Sequence, residues 1–333
     1  MKRKPVQDES LIKQSKTALN QWGEQWRAHA KEHSKYKQKP MSDFLNIGVG
    51  KAVLCVANGY STEEEMETIK KYQHNVDILC CDKSLGHLIR NGIYPTYCLV
   101  CDANVDYEVY LKPYEDKLEK TTLFMNVCAN PLWTRNGNWK DMYFFVNRDV
   151  IQAELEFMKL SGCQNTMAAG TNVSNAMIIA LTQSDNESRR NWFGYDKILL
   201  IGFDYSWRAD GNYYAYDKDG GGKSSYMRHM YFNTMTGKFA YSSGNLVFSK
   251  DWIEKYITAF NLPVVQCSKD SLLQTKHKGQ LAYQMQYRYK PEDAATVKKL
   301  ISELNTLQQQ LLVAKKRIDE IGRDHYKSFA ASS

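Results

Sequence analysis

The chain has 333 residues, of which 43% are hydrophobic, and this composition indicates a globular protein with a large core rather than a disordered one. The formal net charge is +7, and residues 1–40 hold ten Lys and Arg against four Asp and Glu. Because no apolar run is long enough for a membrane span or a signal peptide, we expect a cytoplasmic protein. Among the eight cysteines, Cys98 and Cys101 form a C-x-x-C, but no second pair follows at zinc-like spacing, which predicts free thiols.

Residues 1–45 are predicted to form a basic, amphipathic helical arm. Leu11, Leu19, Trp22, Trp26 and Ala30 recur at helical spacing among Lys, Arg and Gln. We expect the tryptophans to pack on the body of the protein. The positive charge suits contact with phosphate backbones or acidic surfaces, and it equally suits a solvated tail.

Residues 46–275 alternate between strand-like and helix-like segments. Strands are predicted over 52–57, 76–81, 97–101, 121–127, 142–146 and 197–201, and helices over 62–73, 84–91, 149–160 and 173–183. A helix from 252 and a short strand over 264–267 follow. Strands separated by helices of this length form right-handed β-α-β units. The sequence therefore predicts an α/β, Rossmann-like parallel sheet with helices on both faces.

Two regions depart from this alternation. Residues 206–250 are rich in Tyr, Gly, Asp and Ser, with three glycines at 220–222, and we interpret them as an inserted lid. Residues 276–333 contain a predicted long helix over 291–325. Its apolar residues occupy heptad a and d positions, namely Val297, Leu300, Leu304, Leu307, Leu311, Ala314, Ile318 and Ile321. This pattern indicates a coiled coil that makes a homo-oligomer or packs on the amino-terminal helix.

Polar residues lie at or just beyond the ends of the predicted strands, and ligands of open α/β sheets bind beyond the carboxyl ends of the strands. These residues are Asn58, Asp82, Asp102, Asn126, Asn147 and Asp204. Together they predict a polar crevice along one edge of the sheet. The chain contains neither G-x-G-x-x-G nor G-x-x-x-x-G-K-[ST], so a dinucleotide fingerprint and a P-loop are not supported.

Two turns of the predicted sheet admit either a ligand or a purely structural interpretation. At Asn58-Gly59 the glycine permits close approach of a ligand to a helix start, whereas Ser61 and Glu64 have the spacing of a capping box. At residues 170–175, polar side chains suit a base or a ribose, or an N-cap. His229 lies within the predicted lid, where an imidazole suits a general base, although an ordinary loop histidine fits as well.

Several of these segments resemble known families. The segment AVLCVANGYS at 52–61 is similar to the opening strand and turn of MptE-like proteins and Maf-type flagellin glycosyltransferases, with Ala57 and Tyr60 in place of the usual Gly and Pro. The segments GIYPTYCLVCD at 92–102, GTNVSNA at 170–176 and ILLIGFDY at 198–205 resemble later blocks of these families. The same blocks, with NYYAYD at 212–217 and CSKDSLL at 267–273, resemble bacterial sialyltransferases that use a CMP-sugar.

The resemblance, which covers about residues 50–275, implies roles for individual residues. It implies a donor-binding set of Asn58, Gly59, Ser61, Asp82, Gly170, Thr171, Asn172, Asn175, Gly202, Tyr214, Tyr216 and Ser271. Within this set, Tyr214 and Tyr216 would stabilise the leaving phosphate. His229 would activate the acceptor, with Asp102 or Asp204 as alternative catalytic bases.

The resemblance also implies an activity. The first interpretation is a glycosyltransferase that moves a sugar from a CMP-, UDP- or GDP-sugar to a hydroxyl of DNA or protein and needs no metal. The alternative is an MptE-like 6-hydroxymethylpterin-type diphosphokinase that uses ATP and Mg²⁺, with Asp82, Asp102 or Asp204 as ligands. A third interpretation is a non-catalytic nucleotide-binding or assembly protein.

Overall fold

The computed structural model describes residues 9–147, 152–163, 165–167, 172–182, 192–208, 214–215, 229–233 and 236–286, with scattered positions between 299 and 317. The chain divides into two compact units, residues 1–288 and 289–333. Among the residues described, no helix is long and apolar enough to cross a membrane.

The first unit contains eleven strands among its described residues. They are β1 (Ala52–Val56), β2 (Asp77–Cys81), β3 (Tyr97–Val100), β4 (Thr122–Asn126), β5 (Asp141–Asn147), β6 (Thr166–Met167), β7 (Lys197–Ile201), β8 (His229–Asn233), β9 (Lys238–Ser242), β10 (Val264–Gln266) and β11 (His277–Lys278). The helices are α1 (Glu9–His33), α2 (Ser61–Glu64), α3 (Met66–Tyr72), α4 (Asp82–Arg90), α5 (Tyr107–Tyr110), α6 (Leu132–Asn136), α7 (Gln152–Ser161), α8 (Val173–Thr182), α9 (Gly244–Ala259) and α10 (Leu281–Met285).

Nine of these strands form one parallel sheet in the order β11-β10-β7-β1-β2-β3-β4-β5-β6. From β1 the chain steps outward through β2 to β6, and β7 then crosses back to the other side of β1. The strand order therefore reverses between β1 and β7, at the kind of position where open α/β sheets bind ligands.

Helices cover both faces of the sheet, as predicted. Alternate residues of β1 point to different cores: Leu54 packs with Leu85 of α4 in one, and Val53 packs with Met177 of α8 and Ile253 of α9 in the other. Because both faces are buried, the strands are almost uniformly apolar, as in other parallel sheets.

The predicted strands are all confirmed, while several helix boundaries differ from the prediction. The helix expected over 62–73 is two helices, α2 and α3, separated at Glu65, and α4 begins at Asp82, two residues before the predicted start. The first unit also extends past the predicted boundary at 275. There, β11 pairs with β10, and α10 buries Leu281 and Met285.

The predicted lid contains regular structure. Strands β8 and β9 form an antiparallel hairpin, and α9 begins at Gly244 rather than at 252. The hairpin packs Tyr231 and Ala240 against the core that contains α8 and α9. Most of the rest of the predicted lid, including residues 216–228, lies outside the described residues.

The helix α1 packs on the body of the first unit. Ala30 and His33 are buried, and His33 Nδ1 lies 2.8 Å from the carbonyl oxygen of Val127. His29 Nδ1 lies 3.0 Å from the carbonyl oxygen of Cys128, so two consecutive turns of the helix contact the loop after β4. The carboxyl-terminal half of the basic arm is thus part of the folded unit.

In the second unit, the positions that are described are helical and exposed. They include the heptad residues Leu307, Leu311 and Ala314, whereas the remaining heptad residues lie outside the described part of the chain. The coiled coil stays a prediction.

Candidate active site at the strand switch point

A crevice of about 430 Å³ opens at the carboxyl edge of the sheet. It is lined by residues at or just beyond the carboxyl ends of β1 to β5 and β7, and by the first turn of α8. Eight residues of the predicted site line it: Asn58, Gly59, Asp82, Asp102, Asn172, Gly202, Asp204 and Tyr214. The rule that ligands bind beyond the carboxyl ends of the strands, here called the strand-end rule, thus locates most of the crevice correctly. Asn126 and Asn147 line it as well.

Two glycines allow the ends of β1 and β7 to lie close together. The Gly59 N–H donates to the Gly202 carbonyl at 3.0 Å, and a Cβ at Gly59 would overlap that oxygen and the Asp204 carboxylate. Gly202 has φ +75°, and a Cβ there would overlap Ala57 O and Thr62 Oγ1. Both positions therefore need glycine for packing, and their contact with a donor stays a prediction.

Asp204 is buried and bound by Ser61. The Ser61 N–H and Oγ–H donate to the two carboxylate oxygens at 2.9 and 2.5 Å, and Ser61 Oγ lies 2.8 Å from Ser268 Oγ. Burial raises the pKa of Asp204 to about 6, although the Ser61 hydrogen bonds oppose this shift. Ser61 is thus an internal partner of Asp204 rather than a lining residue, and α2 has no side-chain cap, so the capping box does not form.

Asn58 has an unsatisfied polar atom in the crevice wall. The residue is 8% exposed, and its Oδ1 has no hydrogen-bond partner among the described residues. Its backbone carbonyl accepts the Ala215 N–H at 3.0 Å, so the backbone is fixed while the side-chain acceptor remains unused. A buried polar atom without a partner carries a desolvation cost, which a bound hydroxyl or amine would relieve.

Asp82 and Lys83 begin α4 at the floor of the crevice. Asp82 Oδ1 accepts the Lys83 N–H at 2.7 Å, and Lys83 Nζ donates to the Tyr214 hydroxyl at 3.2 Å. Burial raises the pKa of Asp82 to about 6, Lys83 opposes the shift, and Asp102 adds to it. Burial acts to lower the pKa of Lys83, but Tyr214 and Asp82 outweigh it and hold that pKa above its ordinary value.

Asp102 lies on the exposed rim of the same crevice, where its Oδ1 accepts the Asn104 N–H at 2.8 Å. Asp82 and Asp102 are close enough for their charges to interact. Among the described residues, no group of three or more His, Cys, Asp or Glu could hold a metal ion. Two carboxylates together with ligand phosphates are nevertheless a common Mg²⁺ site, and Asp82 with Asp102 fits that donor set.

The first turn of α8 contains an N-cap, which is the structural interpretation that the sequence left open for this turn. Asn172 Oδ1 accepts the Asn175 N–H at 2.9 Å, so Asn172 is the N-cap while it also lines the crevice. Asn175 is fully buried: its Oδ1 accepts from the Tyr205 hydroxyl at 2.5 Å, and its amide donates to Ser249. It holds Tyr205, which has φ 54°, rather than facing the crevice.

Two further predicted site residues, Ser271 and His229, do not line the crevice. Ser271 is buried and donates to the Phe203 carbonyl at 2.6 Å, which fixes the turn after β7. His229 is exposed at the start of β8 and is not a lining residue. Gly170, Thr171 and Tyr216 lie outside the described residues. Lys83 was missed by the sequence analysis, although its place directly after a strand-end aspartate could have identified it.

Comparisons with known proteins agree with the fold. Residues 27–210, just over half of the chain, match the family model described as 6-hydroxymethylpterin diphosphokinase MptE-like. Among solved structures, the chain is similar to the Maf glycosyltransferase from Magnetospirillum magneticum AMB-1, with 16% sequence identity and a TM-score of 0.54. That similarity covers 78% of this chain but 40% of the other, and at this identity it shows a shared fold. No curated protein matches the chain.

Proposed function

The chain belongs to the 6-hydroxymethylpterin diphosphokinase MptE-like family, and from this premise we propose that it is a group transferase with a nucleotide-activated donor in the crevice. The observation that carries the proposal is the crevice itself. It lies where the strand order reverses, and its volume of about 430 Å³ falls within the usual size of a small-molecule site. The unpaired Oδ1 of Asn58 in its wall is suited to a ribose or sugar hydroxyl.

For the reaction, we propose glycosyl transfer to a hydroxyl acceptor. The acceptor oxygen forms a bond to the sugar carbon, the bond from that carbon to the donor phosphate breaks, and the acceptor proton passes to a base. Asp102 suits the base because it lines the crevice at its exposed rim, where an acceptor can approach. The shared fold with a Maf glycosyltransferase supports this choice. The proposed donor is a CMP-, UDP- or GDP-sugar, and the acceptor is a hydroxyl of DNA or protein.

Diphosphoryl transfer from ATP to a hydroxymethyl group is the second candidate. The observation that favours it is the pair of carboxylates, Asp82 and Asp102, on one crevice, together with the description of the family. In that reaction Asp82 and Asp102 would hold Mg²⁺, which neutralises phosphate charge.

Thermal unfolding with CMP, UDP, GDP and ATP, each with and without Mg²⁺, tests the donor site. We expect one nucleotide to raise the melting temperature, since a ligand at 100 times its Kd stabilises by about 2.7 kcal/mol. Asn58→Ala should reduce this shift at little cost to the free protein, because the amide Oδ1 has no partner to lose among the described residues. Asn136→Ala, an exposed asparagine at the end of α6, is the matched control.

The product of turnover separates the two reactions. Glycosyl transfer releases a nucleoside mono- or diphosphate from the sugar donor, whereas diphosphoryl transfer releases AMP from ATP. If none of the four nucleotides shifts the melting temperature and neither product forms, the chain is a non-catalytic member of the fold and the proposal is wrong.

A further inference from the structure

The geometry points to Lys83 as the cation that binds the diphosphate group of a UDP- or GDP-sugar donor, an inference that rests on the proposed nucleotide site. Lys83 is a lining residue of the crevice, and it is the one Lys or Arg among the described lining residues. Its ammonium group stands beside Tyr214, whose ring centroid is 4.5 Å from Nζ.

The helix dipole disfavours a cation at the position of Lys83, and the neighbouring Tyr214 and Asp82 offset this effect. Lys83 is the second residue of α4, in the first turn, where the helix dipole is positive and a cation is normally destabilising. A long aliphatic stem would let this residue reach solvent, yet Nζ is directed to Tyr214 in the crevice. A cation in the first turn of a helix conflicts with the helix dipole, and local conflicts of this kind are typical of functional positions.

The ammonium group also has capacity for a ligand. It carries three N–H donors, and the structure gives Nζ one hydrogen-bond acceptor among the described residues, the Tyr214 hydroxyl. The remaining donors suit phosphate oxygens, which form charge-assisted hydrogen bonds with lysine.

Tyr214 connects Lys83 to the turn after β1. Tyr214 forms a bridge with Gly59, and the neighbouring Ala215 N–H donates to the Asn58 carbonyl at 3.0 Å. Lys83 and Asn58 thus line the same crevice and are linked through residues 214–215, and we assign the free acceptor of Asn58 to a hydroxyl of the donor. This arrangement places the diphosphate at Lys83 and the adjoining ribose or sugar at Asn58.

Calorimetry with inorganic pyrophosphate, and with a nucleoside and its diphosphate, tests this assignment. Lys83→Gln should weaken pyrophosphate and nucleoside diphosphate binding about 10–100-fold, the range expected for a lost charged hydrogen bond, and leave the nucleoside unchanged. Lys83→Arg should retain most of the affinity, because it keeps the charge. Lys71→Gln removes another lysine that lies over a tyrosine ring, 5.0 Å from the Tyr72 centroid but on the exposed end of α3, and should change nothing.

The outcomes separate this inference from the proposed function. If nucleotides bind and Lys83→Gln leaves diphosphate affinity at the wild-type value, the inference is wrong while the proposed function stands. If pyrophosphate binds through Lys83 but no nucleotide binds, the anion site stands and the proposed function fails. Lys83→Met retains the aliphatic stem and repeats the test if Lys83→Gln does not fold, which thermal unfolding will show.

Discussion

Asp102 and His229 are the two residues to compare as the base for the acceptor proton. A base must come within hydrogen-bond reach of the hydroxyl that it deprotonates. Asp102 lines the crevice, whereas His229 is exposed on a hairpin and does not line it. Asp204, the third candidate, has both carboxylate oxygens bound by Ser61 and serves to fix the turn after β7.

Replacing Asp102 should therefore impair turnover more than replacing His229. We expect Asp102→Asn to lower turnover about 10²–10⁴-fold with donor affinity nearly unchanged, because general-base assistance contributes about that factor. The variant keeps the oxygen that accepts the Asn104 N–H, so the loop should stay in place. His229→Ala should stay within a few-fold of wild type. Steady-state kinetics with calorimetry of the donor measures both, and the reverse ranking would make His229 the base.

The strand-end rule succeeded for Asn58, Asp82 and Asp102 because a strand places its next residue at the sheet edge whatever the side chain does. Ser61, Asn175 and Ser271, which the resemblance assigned to the donor-binding set, do not line the crevice. Each is a polar residue near the same edge, but each is turned inward to satisfy a buried group. A single sequence does not distinguish a polar residue that binds a ligand from one that binds its own protein.

The helix α1 illustrates the same limit for whole elements. Its spacing of apolar residues predicted an amphipathic helix, and the structure has one at Glu9–His33. The surface that it covers was not predictable, because the contacts of His29 and His33 with the loop after β4 span about a hundred residues of sequence. Likewise β6 and β11 have two residues each, too few to show any alternation.

His33 should make the anchoring of α1 dependent on pH. Burial lowers its pKa to about 4, although the hydrogen bond to the Val127 carbonyl acts to raise it. The charges of His29, Glu32 and Arg135 have smaller effects. Between pH 4 and about 6.5 the unfolded chain binds a proton at His33 that the folded chain does not, so stability falls as the pH decreases through this range. The shift corresponds to about 3 kcal/mol.

Urea unfolding of wild type and His33→Asn at several pH values measures this dependence. Asparagine keeps a donor for the Val127 carbonyl but does not titrate, and the other charges are common to both proteins. The stability of wild type relative to the variant should fall by about 3 kcal/mol from pH 6.5 to pH 4 and be constant above about pH 7. A constant difference over the whole range would show that His33 binds its proton equally in the folded and unfolded chains, so that its pKa is not shifted.

At the scale of the whole molecule, the site is a product of topology. The ends of six strands and the first turns of α4 and α8 contribute lining residues to the crevice, and the residues are separated by up to 156 positions along the chain. The alternation of strands and helices in the sequence predicted that these strand ends would meet at one edge of a sheet. It did not predict any individual contact between them. For the second unit the sequence predicts a partner helix, and this prediction concerns apolar residues that the single chain leaves exposed.

The heptads of the second unit predict self-association. Leu307 and Leu311 occupy a d and an a position, and they are 60% and 73% exposed in the single chain. Apolar residues repeated at a and d over four heptads form a stable seam only when a partner helix covers them.

We therefore expect wild type to be a dimer or a higher oligomer by light scattering. Leu307→Asp with Leu311→Asp should give a monomer with unchanged melting of the first unit, because charges at a and d positions disrupt the seam. Ser302→Asp with Gln309→Asp adds the same charge at outward f positions and should leave the mass unchanged. A monomeric wild type, or an unchanged mass in the leucine variant, would contradict the coiled coil.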